Sequence, residues 1–181
     1  MSDEVQKQTT EGITFRIPSS SINQLREESK KKQVTLNTLV NQIIKDHLDW
    51  HTYAALAGFF YVPRATFSRL VDHLTEEEIS ELAIIIAKRD LDIGLLLTGE
   101  LTLSSFLNIL ENYSRISNFA YKHEINNDIH NFIIQHDMGS KYSFFVKEIF
   151  QYILQEIFKI KLDFTITDNT VVFRFSSSSE R

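Results

Sequence analysis

Thr14 and Arg16 stand two apart in the run Ile13-Thr14-Phe15-Arg16-Ile17, a spacing that puts both on one side of an extended strand. A guanidinium so placed can donate two hydrogen bonds to a guanine edge, and a threonine methyl or hydroxyl can meet thymine or another base edge. A solvated strand face is the plainer alternative. His47 and His51 are four apart, a helical spacing able to hold a transition metal. No carboxylate stands at a third ligand position, so surface or interface imidazoles are the better reading, and no metal or cofactor is expected. His130 and His136 share strand parity with Phe132 and Ile134. They can flank a ligand pocket, but half-buried histidines are the commoner outcome. The adjacent His136-Asp137 pair invites comparison with metal phosphohydrolases, yet adjacent residues alone make no site and the other ligands are not evident. Lys30, Lys31 and Lys32 can touch phosphates, although a charge run at a helix end is more often a solvated cap. No Gly-rich phosphate loop, Ser/His/Asp elbow or convincing carboxylate pair is found, so an enzyme is not expected.

The elements that must position Thr14 and Arg16 are short. Ile13, Phe15 and Ile17 face opposite to them, and Pro18 ends the strand, because proline cannot donate to a ladder and fits the first turn of a helix. Ser19 to Ser21 offer hydroxyls for an N-cap, with Ile22, Leu25 and Ser29 on one face of the helix that follows and the three lysines at its end. Thr35 caps a second helix, whose Leu36, Leu39, Val40, Ile43, Ile44, His47 and Leu48 form an apolar stripe. So few apolar residues cannot stabilise a monomer of this size, since domains below about 40 residues need metals, disulfides or oligomerisation. The chain contains no cysteine, which leaves oligomerisation.

This strand, proline and capped helix pair resembles the ribbon-helix-helix superfamily of Arc-, MetJ- and CopG-type DNA-binding regulators, over roughly residues 12–50. The resemblance implies that one strand from each of two chains pairs antiparallel and enters the major groove of double-stranded DNA. It implies that Gly12, Thr14 and Arg16 face the bases while Ile13, Phe15 and Ile17 face inward. It further implies a DNA phosphate at the start of the second helix, at Thr35, Leu36 and Asn37, where unpaired N–H groups and the helix dipole favour an anion. Between the helices the family often has Gly or Asn, and this chain has Lys32-Gln33-Val34.

The expected organisation is α+β: a disordered arm over 1–11, the ribbon-helix-helix domain over 12–50, an α+β domain over 51–175 and a disordered tail over 176–181. In the third segment Pro63 can open a helix carrying Phe67, Leu70, Val71 and Leu74. Thr75-Glu76-Glu77-Glu78 is a capping box for a helix to about Arg89, and Thr102 starts another. Ile129 to Gln135 reads as a buried strand, Ser140 to about Lys159 as a helix apolar on a wide arc, and Leu162 to Phe175 as a hairpin turning at Asp168-Asn169. The aromatic side chains of residues 142–175 can line a small-molecule pocket, but their spacing favours core packing or a subunit interface.

Composition is that of an ordinary globular chain, 43% apolar and 24% charged, with a net charge of −5. Residues 1–50 hold seven basic and seven acidic side chains, so the acidic excess lies further along. A DNA reader needs local cations and amides rather than a basic total. Met1 to Glu11 lacks the basic and apolar regions of a signal peptide, and no apolar run approaches the ~20 residues that span a bilayer. The expectation is a cytoplasmic homodimeric transcriptional regulator with no membrane partner, its third segment serving oligomerisation or a small-molecule or protein effector. The alternative is an antitoxin-like protein-binding factor that regulates its own synthesis through DNA.

Overall fold

The computed structural model describes residues 10–177, with side chains omitted at 53 and 96–98. The expected arm therefore lies outside the described residues at 1–9, and the expected tail does so at 178–181. The described chain is α+β and falls into two compact units that divide between His47 and Leu48.

The first unit holds helices α1, Ser19–Lys31, and α2, Leu36–Asp46. Helix α1 has Pro18 at its N-cap with no side-chain cap; Ser19 to Ser21 lie inside the helix instead, because the Pro18 carbonyl already accepts from Ile22 N–H at 3.1 Å. Its other end closes with paired backbone bonds, Gln33 N–H to Lys30 O and Val34 N–H to Ser29 O, both 3.0 Å. This 5→2 and 6→1 pattern needs a left-handed residue, and Gln33 supplies it at φ 55°. Helix α2 is capped by Thr35, whose side chain accepts from Thr38 N–H at 3.0 Å. The expected strand over residues 13–17 has no regular secondary structure, and all strands among the described residues lie in the second unit. A ladder needs two strands, and one copy of this segment has none to pair with.

After α2 the chain passes into a π-helical stretch, His47–His51, and then α3, Thr52–Leu56. Helix α4, Arg64–Asp72, follows Pro63 as expected. The capping box at Thr75 is present, with Thr75 N–H bonded to Glu78 Oε2 at 2.8 Å, but its helix α5 runs past Arg89 over Glu76–Thr98. Leu91, Ile93 and Leu95 carry it through the polar Lys88-Arg89-Asp90 step, and Gly99, left-handed at φ 73°, ends it. Helix α6, Leu103–Ile116, starts from Thr102 in a second reciprocal cap with Ser105.

Four antiparallel strands form one sheet in the order β1-β2-β4-β3: β1 Ala120–Asn126, β2 Ile129–Gln135, β3 Asp163–Ile166 and β4 Thr170–Ser176. The last two are the expected hairpin. Strand β1 was not expected; it joins β2 through Asn127 and Asp128, both at positive φ (48° and 65°), as a tight hairpin turn demands. Ser176, expected in the tail, closes β4, and Ser177 N–H bonds Asp128 O at 2.8 Å. Helix α7, Ser140–Gln151, continues through a π-helical stretch, Tyr152–Ile157, and connects β2 to β3.

The sheet alternates with period two, so its inner face is made of cross-strand rows. His123, Phe132, Phe173 and Phe164 form one row across all four strands, with neighbouring ring centroids 3.8, 4.9 and 5.9 Å apart. Ile125, His130 and Phe175 form the next. Phe150 of α7 seats on Phe173 at 5.1 Å, and Val71, Ile79, Ala83 and Leu110 complete a core closed by α4, α5 and α6. Glu124, Asn131, Arg174 and Asp163 align on the opposite face.

Candidate nucleic-acid interface

Gly12, Thr14 and Arg16 are all exposed in the segment before α1. So are their apolar neighbours, Ile13 at 69%, Phe15 at 63% and Ile17 at 41%. Thr35, Leu36 and Asn37 sit together at the N-terminus of α2, Thr35 and Asn37 exposed and Leu36 half-buried. Thr35 Oγ1 also lies 2.8 Å from Thr38 Oγ1, so two hydroxyls border the first turn. First-turn amides have no intrahelical acceptor, and no acidic side chain occupies that turn to compete for an incoming anion. The two groups of residues are thus held by different elements.

The apolar stripe of α2 is only partly covered. Leu39 is buried at 1% exposure, whereas Ile43 and Ile44 are 45% and 43% exposed. Lys30 pairs with Glu27 at 2.8 Å and Lys32 with Glu28 at 2.7 Å, both on the surface of α1. The Lys30 hydrogen bond holds the Glu27 carboxyl below its usual range. Exposed pairs of this kind are worth ~0–1 kcal/mol and rearrange readily, so these lysines serve the helix end first.

The other histidines resolve differently. Tyr61 Oη lies 3.1 Å from His51 Nδ1. No group of three or more potential metal ligands assembles among the described residues, and His136-Asp137 gains no partners for metal chemistry. Met138 N–H donates to His136 Nδ1 at 3.1 Å, so the proton sits on Nε2, which donates to Ser143 Oγ at 2.8 Å. Burial lowers the pKa of His136 to about 4, leaving it a neutral core residue that ties β2 to α7. His130 is buried and stacked on Phe175 at 4.8 Å, and its Nδ1 meets His123 Nε2 at 2.9 Å. His123 Nδ1 in turn lies 2.8 Å from Glu111 Oε1. Glu111 and His123 were not singled out in the sequence. The signal was Tyr121-Lys122-His123-Glu124-Ile125 ahead of Asn127-Asp128, an alternating strand before a turn. Burial and the neighbouring His123 both lower the pKa of His130.

Among known proteins, no family model matches this chain and no curated protein is significantly similar to it. Among the described residues, no helix is long and apolar enough to cross a membrane.

Proposed function

We propose that this protein is a homodimeric, sequence-specific DNA-binding transcriptional regulator whose residues 12–50 work as a ribbon-helix-helix domain. The observation that carries the reading is the exposure of Ile13, Phe15 and Ile17 at 69%, 63% and 41%, directly before two helices. Such a strip is a liability unless something covers it. A second copy laid antiparallel supplies the missing ladder and buries both sets of inward residues at once, with the half-covered stripe of α2 extending the contact. Period two then turns Gly12, Thr14 and Arg16 to the outer face, where a two-stranded ribbon fits the major groove. The N-termini of the two α2 helices, at Thr35, Leu36 and Asn37, clamp the flanking phosphates. The reading assigns no reaction and no cofactor to this domain.

The test is fluorescence anisotropy with duplexes enriched from a random pool. Arg16→Ala and Thr14→Ala each remove a base contact worth about 1–3 kcal/mol, a loss of about 5- to 150-fold in affinity, while the dimer persists in light scattering. Unchanged affinity in a folded dimer overturns strand readout. Binding to the enriched duplex also weakens steeply with salt as phosphate-bound counterions are released.

A further inference from the structure

The second unit holds a cavity of about 340 Å³, open to solvent on one side, between α5, α6, α7 and the end of β2. Its walls are apolar, with Phe106, Leu110, Ile134, Phe145 and Ile149 among them, and Trp50 and Phe59 close one side. The large rings pack against one another around the space: Trp50 on Phe59 at 5.5 Å, Trp50 on Tyr113 at 6.2 Å and Phe106 on Phe150 at 6.3 Å. Predominantly apolar walls of this kind favour the apolar part of a guest, and the volume is at the small end of ligand pockets.

The polar groups of the lining decide what else a guest must carry. His136 is engaged through both ring nitrogens and stays neutral. The Tyr142 phenol is hydrogen-bonded to Tyr113, and burial raises its pKa far above the usual value. Ser114 is buried and uncharged, which leaves Arg89 and Asp90 as the charged groups of the lining. The Arg89 guanidinium lies over the face of Phe59, 5.9 Å from its centroid, and its side chain is 63% exposed, so it is held toward solvent. It pairs with the Asp90 carboxylate at 3.7 Å, and the Asp90 side chain is itself 40% exposed, so the carboxylate stands at the solvent-facing rim of the cavity, where a second cation can reach it.

We propose that this cavity is a binding site for a small monocationic amine, its apolar body enclosed by the aromatic walls and its ammonium group paired with Asp90. The site lies wholly within the second unit and does not depend on the ribbon-helix-helix reading. Burial raises the Asp90 pKa to about 6, with the nearby Arg89 only partly offsetting it, and an ammonium ion would relieve that cost.

Isothermal titration of the full chain with 4-phenylbutylamine, 4-phenylbutanol and 4-phenylbutanoate, without DNA, tests the assignment. At pH 7.5 the amine is expected to bind about tenfold more tightly than the alcohol, and the acid weakest. In Asp90→Asn, checked for native circular dichroism, the amine and the alcohol are expected to converge to within about twofold. Moving the wild type to pH 5, one unit below the Asp90 pKa of about 6, leaves about a tenth of the carboxyl ionised and lowers amine affinity by about fivefold, toward that of the alcohol. The assignment is overturned if none of the three binds, if the acid binds as well as the amine, or if Asp90→Asn keeps the amine preference.

Discussion

Asp90 and His136 are both shifted by desolvation, but in opposite directions, because one is charged when it loses a proton and the other when it gains one. Folded His136 stays neutral down to about pH 4, while its unfolded imidazole takes a proton near 6.5. Between those values the unfolded chain binds more protons, so stability is full above pH 6.5 and falls with pH through the window. His130, also lowered, acts in the same sense. Asp90 does the reverse: its folded carboxyl holds a proton up to about pH 6 and its unfolded one only to about 3.8, so its stabilising effect is present at low pH and lost as pH rises through 6. The two contributions oppose each other between pH 4 and 6. Removing the charge in Asp90→Asn should therefore raise stability at pH 7 by about 1 kcal/mol, after allowance for the solvent access of this side chain, and steepen the acid loss. Urea unfolding at pH 7, 5.5 and 4.5 measures both; an acid profile unchanged by the substitution contradicts the account.

Helix ends were readable in the sequence where the decisive bond is local. Thr75 with Glu78 and Thr35 with Thr38 each need only a hydroxyl and an amide three residues apart, and both formed. Strand β1 was not readable in the same way, because its pairing with β2 depends on the turn at Asn127-Asp128 and on a sheet that must exist before the strand has a face to bury. The same contrast sets the expected size of mutational effects. Thr75→Ala removes one cap and should cost about 1 kcal/mol. Phe173 is fully buried at 0% exposure, stacked on Phe132 and packed against the tilted rings of Phe164 and Phe150, so Phe173→Ala should cost about 3–5 kcal/mol. Thermal and denaturant unfolding should rank the two in that order; similar costs would mean that the aromatic row is not the centre of the core.

At the scale of the whole molecule, the exposed Ile13, Phe15 and Ile17 set an expectation about assembly. In the dimer proposed above, Phe15→Glu places a charge inside the ribbon, and light scattering should show a shift to monomer at micromolar concentration while the near-ultraviolet signal of Trp50, which belongs to the second unit, is retained. A monodisperse dimer in that variant contradicts pairing through the ribbon. The chain's patterns by themselves determined the α+β class, the helix starts at Thr35, Thr75 and Thr102 and the late hairpin, because each rests on contacts between near neighbours along the chain; the cap expected at Ser19 to Ser21 did not form. In the ribbon proposed above the patterns would also set which side chains share a face, Thr14 with Arg16 and Ile13 with Phe15 and Ile17, since strand parity follows from the covalent chain. Only the tertiary structure decided the fate of the histidines and of Asp90. His130 and His136 became core residues, and Asp90 a partly covered carboxylate at the rim of a cavity, through neighbours brought from distant parts of the chain, and no local pattern encodes those surroundings.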